Sequence, residues 1–162
     1  VKLMKADKKR AKSYSINHHD DATPQLVQET IAVYQKMSVN PIALLQNSKE
    51  GLSANAALDF LNISGFTYDE FQSAFKTTVK TIQNHAVQGL KLDAALSEKL
   101  IKSFALFNKG IEIFGSVEAF HQWLNLPAYG LGNQTPFHLM DTITGINLIE
   151  EELIRIAYGD LA

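Results

Sequence analysis

The chain has 162 residues, of which 46% are hydrophobic and 20% are charged, and its formal net charge is −2. These values are typical of a globular protein with one domain, or with two small domains that share a core. The absence of cysteine excludes disulfides, thiol catalysis and cysteine-ligated zinc, and it favours a reducing cytoplasm. Because no run of about 18 apolar residues occurs, we expect no membrane-spanning helix and no membrane partner.

Positive charge is concentrated at the start of the chain. Residues 1–22 contain six of the 15 Lys and Arg residues, which are Lys2, Lys5, Lys8, Lys9, Arg10 and Lys12. We predict a solvated, flexible tail here, and no secretory signal, since no apolar segment follows the charges. The alternative is a basic arm that contacts nucleic acid.

Helix signals dominate from residue 23 onward, which predicts an all-α fold. Thr23-Pro24 and Asn40-Pro41 each combine an N-cap side chain with a proline at the first helical position. Ser53 predicts the cap of a third helix, over residues 54–63. Gly65 should end that helix in the left-handed conformation.

Residues 67–89 match the spacing of a helix-turn-helix unit. Thr67 and Glu70 form a capping-box pattern that opens a short helix. A three-residue turn and a second helix follow, and in such units the second helix lies in the major groove of DNA. The candidate DNA-binding residues are Lys76, Thr78, Lys80, Thr81, Gln83 and Asn84. The alternative is an ordinary helix pair of an all-α protein, and the low basicity of residues 60–90 argues against tight binding.

A long helix is predicted from near Ser97 to Phe114, because apolar residues recur at spacings of three and four. Ser116 should cap the next helix, which carries Trp123. That side chain is either an anchor at an interface or a core residue packed under the long helix. Thr135-Pro136 predicts one more short helix.

Two glycine-containing segments divide the rest of the chain. Gly130-Leu131-Gly132 follows no strand and lacks a third glycine, so it predicts a tight loop rather than a phosphate cradle. Gly145 predicts a break before a final helix that ends at Tyr158-Gly159. The run Glu150-Glu151-Glu152 is expected on the solvent face of that helix. The alternative is that it meets a basic surface of a partner.

The sequence offers no catalytic or metal-binding pattern. The five histidines lack partners at metal-ligand spacing, and no Ser-His-Asp arrangement is recognisable. His121 and His138 are expected as satisfied boundary or surface residues. His18-His19-Asp20-Asp21 lies in the tail, where solvated chain is expected rather than a metal site. We therefore predict neither an enzyme nor a cofactor.

The last fifty residues resemble the toxin-binding domain of the Xre, MbcA and ParS antitoxins of bacterial toxin–antitoxin systems. The order of motifs carries the resemblance: Phe114-Gly115, Trp123-Leu124, Pro127, Leu131-Gly132, Thr135-Pro136, Gly145, and Leu153-Arg155-Ile156-Tyr158-Gly159. Upstream, residues 75–82 are similar to the Leu-Gly-Ile/Val-Ser-x-Arg-Thr-Leu turn of Xre-like helix-turn-helix regions. They depart from it at Lys76 and Thr77.

After the basic tail over residues 1–22, the resemblance implies an Xre-like helix-turn-helix region over 23–92 and a toxin-binding domain over 93–162. It implies an antitoxin that covers the active site of a cognate toxin, commonly of the RES class that degrades NAD. It also implies a homodimer that represses its own operon. The implied toxin contacts are Trp123, Tyr129, Leu131, Asn133, Arg155, Tyr158, Gly159, Asp160, Leu161 and Ala162. The alternative function is a DNA-binding transcriptional regulator that acts without a toxin.

Overall fold

The computed structural model describes residues 22–159, and this part of the chain is all-α, as predicted. The basic tail before residue 22 and the predicted contacts Asp160, Leu161 and Ala162 lie outside it. The helices are α1 (Pro24–Gln35), α2 (Pro41–Glu50), α3 (Asn55–Ser64), α4 (Tyr68–Phe75), α5 (Val79–Val87), α6 (Ala94–Phe114), α7 (Val117–Leu124) and α8 (Ile143–Ala157). Short 3₁₀ turns occupy Lys36–Ser38, Tyr129–Leu131 and Pro136–Leu139.

Side-chain caps open four of these helices where the sequence predicted them, at Thr23, Asn40, Thr67 and Ser116. The Thr23 hydroxyl accepts from the backbone N–H of Leu26, and the Asn40 side chain accepts from that of Ala43 at 2.9 Å. The capping box at α4 is complete, because the Glu70 carboxylate also accepts from the Thr67 N–H at 2.8 Å. These bonds satisfy N–H groups that have no partner within the helix.

Two predicted helix starts are displaced along the sequence. Ser53 lies one residue before the cap position of α3, which Ala54 occupies, and its hydroxyl accepts from the Asn55 N–H at 3.3 Å, while its backbone pairs with Lys91 in an isolated antiparallel bridge. The long helix α6 begins before Ser97, because the Asp93 carboxylate accepts from the Leu96 N–H at 2.7 Å. Ser97 instead lies buried inside the helix.

Gly145 does not break the chain as predicted. It lies in the first turn of α8, and its N–H donates to the Thr142 hydroxyl at 2.9 Å. A Cβ at this position would come within 1.7 Å of the Leu139 carbonyl oxygen. The glycine is therefore explained by the close approach of the preceding backbone, not by a helix end.

Helix α6 forms the centre of the molecule and contacts α1, α2, α3, α4, α7 and α8. The predicted apolar stripe is buried at Leu100, Phe104 and Phe107 and half-buried toward the end of the helix. Phe60 packs edge-on against both phenylalanines, with centroids 5.3 and 5.1 Å away. One buried cluster extends from Val27 to Leu153. No helix in residues 22–159 has the length and hydrophobicity needed to cross a bilayer.

Candidate functional site

Residues 125–135, between α7 and the Pro136–Leu139 turn, form a closed loop that we call the tip loop. Its two ends pair in a bridge, with the Ala128 N–H donating to the Gln134 carbonyl at 3.0 Å. The Asn133 N–H donates to the Ala128 carbonyl at 3.0 Å. Gly132 and Asn133 have φ angles of +65° and +60°, so the turn needs residues that tolerate the left-handed region. The predicted tight loop is confirmed.

The tip loop contacts an ion pair of α8 whose carboxylate, that of Glu152, is buried and whose guanidinium, that of Arg155, is partly exposed. The Glu152 side chain is 2% exposed, and one of its carboxylate oxygens accepts from the Arg155 Nε at 2.8 Å and from the Arg155 Nη2. The same Nη2 also donates to the Gly130 carbonyl at 3.1 Å. A Cβ on Gly130 would come within 1.9 Å of the Glu152 carboxylate. We call this arrangement the Glu152–Arg155 brace.

The brace corrects the prediction that three glutamates share the solvent face of α8. Successive helical residues point about 100° apart, so Glu150, Glu151 and Glu152 cannot share one direction. Glu151 is exposed, and Glu150 forms an ion pair with Lys109 of α6 at 2.9 Å. Glu152 faces the tip loop instead, where burial of its charge requires a partner.

Exposed aromatic and aliphatic side chains lie close in sequence to the residues of the brace. Tyr129 precedes Gly130 in the tip loop and is 78% exposed, while Tyr158, one turn after Arg155, is 81% exposed. Ile154 lies one turn before Tyr158 and is also exposed. Aromatic rings that combine a large apolar area with a polar atom are common at interfaces. We refer to Tyr129, Ile154 and Tyr158 as the tip surface.

Two further predicted contacts have different surroundings. Trp123 is half-buried and stacks on Phe114 and Phe120, with ring centroids 5.3 and 5.9 Å apart. It therefore packs at the end of the long helix while it keeps a partly exposed edge. Leu131 is buried and anchors the tip loop to the core.

The predicted DNA-binding residues lie on α5 and the turn before it. Lys76 adopts φ +56°, and the Thr78 hydroxyl caps α5 by accepting from the Thr81 N–H at 3.1 Å. Lys80, Thr81 and Asn84 are exposed at spacings that place them on neighbouring positions of one helix surface. Gln83 is half-buried. We call α4, the turn and α5 the helix pair.

Side-chain contacts join both ends of α4 to the segments that flank the tip loop. His121, in α7, lies 3.1 Å from both carboxylate oxygens of Glu70 at the start of α4. Lys76, at the end of α4, lies 3.6 Å from the carboxylate of Asp141, which follows the tip loop. Sequence reasoning missed both pairs, because each joins residues more than 50 positions apart.

A lysine of α6 lies beside the second of these pairs. Lys99 donates to the Ala74 carbonyl at 3.1 Å, at the end of α4. Burial lowers the pKa of Lys99, while the Asp141 carboxylate acts to raise it and the Lys76 ammonium to lower it. Lys99 therefore links α6 to the end of α4, beside the Lys76–Asp141 pair.

Residues 109–159 match the family of the antitoxin Xre/MbcA/ParS C-terminal toxin-binding domain. The match confirms the resemblance for this segment, which contains the end of α6, the tip loop, the brace and all of α8. It supports an antitoxin role with a protein toxin as partner. Residues before 109, including the helix pair, lie outside the matched segment. No curated protein matches the chain.

Proposed function

We propose that this protein is the antitoxin of a type II toxin–antitoxin system, and that it neutralises a RES-type toxin that degrades NAD. The observation that carries the proposal is the match over residues 109–159, since that segment holds the tip surface. Neutralisation occurs by occlusion of the active-site entrance, without chemistry by the antitoxin.

The proposed contacts are exposed side chains that a partner can cover. Tyr129 and Tyr158 provide two aromatic anchors, and tyrosine is one of the residue types enriched at the energetic centres of protein interfaces. Trp123 adds its exposed edge, and Asn133 adds polar groups at the turn. The proposed contacts also include Gly159 and, outside the described residues, Asp160, Leu161 and Ala162; a carboxylate such as that of Asp160 can oppose Arg groups that bind phosphate.

We propose operator binding as a second function of the same chain. It is supported by the exposed surface of α5 with Lys80, Thr81 and Asn84, and by the residues at positions 75–82 that resemble an Xre-like turn. Lys can contact phosphate or guanine, and Asn can pair with adenine. In this proposal a homodimer places two copies of α5 on the operator and represses its own operon.

Co-expression with the product of the adjacent gene tests the first function. We expect the neighbour alone to stop growth and deplete cellular NAD, and this chain to restore both. Growth arrest with normal NAD, reversed by this chain, would support the antitoxin role but contradict the assignment of the toxin to the RES class. A harmless neighbour, or failure to rescue, would contradict the antitoxin proposal.

Binding to the DNA upstream of its own gene tests the second function. We expect a shifted complex whose log affinity falls linearly with log salt concentration, because phosphate contacts release counterions. An unrelated DNA of equal length is the control. Equal affinity for the two DNAs would contradict operator recognition.

A further inference from the structure

The guanidinium of Arg155 is already occupied within the protein. Its Nε and Nη2 both donate to Glu152, and Nη2 also donates to the Gly130 carbonyl at 3.1 Å. A guanidinium presents its donors in a rigid planar fork, so it can hold a carboxylate and a carbonyl at fixed relative positions. This side chain therefore links two elements that are 25 residues apart in sequence.

The elements that it links carry the two exposed tyrosines. Tyr129 is the neighbour of Gly130, and Tyr158 follows Arg155 by one turn of α8. The relative position of the two rings depends on how the tip loop sits on α8. Gly130 allows that loop to approach closely, because a Cβ there would collide with the Glu152 carboxylate.

We propose that the Glu152–Arg155 brace fixes the tip loop on α8, so that Tyr129 and Tyr158 form one toxin-binding surface, and that Arg155 is a positioning residue rather than a toxin contact. This inference rests on the proposed antitoxin function. A preformed surface does not have to order its loop on binding, and that ordering would otherwise reduce affinity.

The burial of Glu152 explains why both partners of the brace are needed. Removing the arginine would leave a carboxylate that is 2% exposed without its cation, which is strongly unfavourable. Lysine would retain the charge, but as a point charge without the fork that reaches Gly130 as well as Glu152. Arg155→Lys therefore tests positioning while keeping the pair neutralised.

Hydrogen exchange on the free protein gives the first measurement. The N–H groups of Leu131 and Asn133 both donate to the Ala128 carbonyl, so they report whether the tip loop is closed. We expect Arg155→Lys and Gly130→Ala to speed their exchange roughly tenfold or more, while α6 amides stay protected. Lys109→Met is the matched control, since it breaks the Lys109–Glu150 ion pair of α8 without touching the loop.

Toxin affinity of the full chain gives the second measurement, in a double-mutant cycle of Arg155→Lys with Tyr129→Ala. If Arg155 acts through the loop, its substitution costs roughly tenfold in affinity with Tyr129 present and much less without it. Multiplicative losses, or unchanged loop exchange in both brace variants, would overturn the proposal. If the wild-type chain binds no product of the adjacent gene, the antitoxin function fails, while the exchange experiment still decides whether the brace holds the loop.

Discussion

The tip surface and the helix pair differ in what they offer a partner. The tip surface exposes two tyrosines about four-fifths to solvent, beside the Glu152–Arg155 ion pair, of which only the carboxylate is buried. The helix pair exposes Lys80, Thr81 and Asn84, and its other lysine, Lys76, is already paired with Asp141. Burial of aromatic surface drives protein association, whereas DNA binding depends on cations that neutralise phosphates. The comparison therefore favours a protein partner at the tip more strongly than DNA at the helix pair.

The two regions are nevertheless built on one core. α6 contacts α4 of the helix pair and α7 and α8 beside the tip loop. Phe107 packs against Phe60 of α3 and against Phe120 of α7, with centroids 5.1 and 4.9 Å away. The two regions therefore differ in surface chemistry, but both are stabilised by packing against the same core.

The largest expected effect comes from a substitution in the core that the tip surface and the helix pair share. We expect Phe107→Ala to lower the free energy of unfolding by about 3–5 kcal/mol, because it removes a fully buried ring. Chemical denaturation followed by circular dichroism and by Trp123 fluorescence should give one coincident transition. Two separated transitions would instead mean that the two regions fold independently.

Removal of the chain end should separate binding from stability. Deleting residues 157–162 takes away Ala157, Tyr158 and Gly159, all of which are exposed, so the core is retained. We expect neutralisation of the toxin to be abolished while the melting temperature changes by only a few degrees. Growth rescue by the truncated chain would show that the tip surface does not depend on Tyr158.

Substitution of single tyrosines should show how the tip surface divides its binding energy. We expect Tyr129→Ala and Tyr158→Ala each to weaken toxin binding by about 2 kcal/mol, close to 30-fold, as for aromatic anchors at interfaces. Tyr68→Ala is the matched control, since Tyr68 is an exposed tyrosine of α4. Equal losses for all three variants in a titration by calorimetry would contradict the assignment of the tip.

A substitution in the helix pair should have a smaller effect, and it should change affinity for DNA but not affinity for the toxin. We expect Lys80→Ala to lower operator affinity by about 1 kcal/mol and to reduce the slope of log affinity against log salt by about 0.9, as for one phosphate contact. Lys49→Ala, in α2, is the control for a general charge effect. A loss of toxin affinity in Lys80→Ala would contradict the separation of the two surfaces.

Local signals in the sequence predicted most of the fold, because caps and glycine ends act within a few residues. Thr67 with Glu70 and Ser116 with the backbone of Ala119 formed as expected. The brace was not predictable, since no periodicity indicates that Arg155 reaches back to Gly130. The burial of Glu152 also depends on a loop that only tertiary contact brings to α8.

An effect of similar size, on stability alone, concerns the turn of the helix pair, where Lys76 occupies a position that often holds glycine in similar turns. Lys76 has φ +56°, a region that costs a residue with a Cβ roughly 1–2 kcal/mol. Lys76→Gly and Lys76→Ala both remove the ion pair with Asp141, so they differ only in the backbone. Glycine also increases the conformational entropy of the unfolded chain, which offsets part of the stability gained by removing the strained Cβ. We therefore expect the glycine variant to exceed the alanine variant by about 1 kcal/mol in free energy of unfolding, measured by urea titration. Equal stability would mean that the turn relaxes out of the left-handed region in the alanine variant.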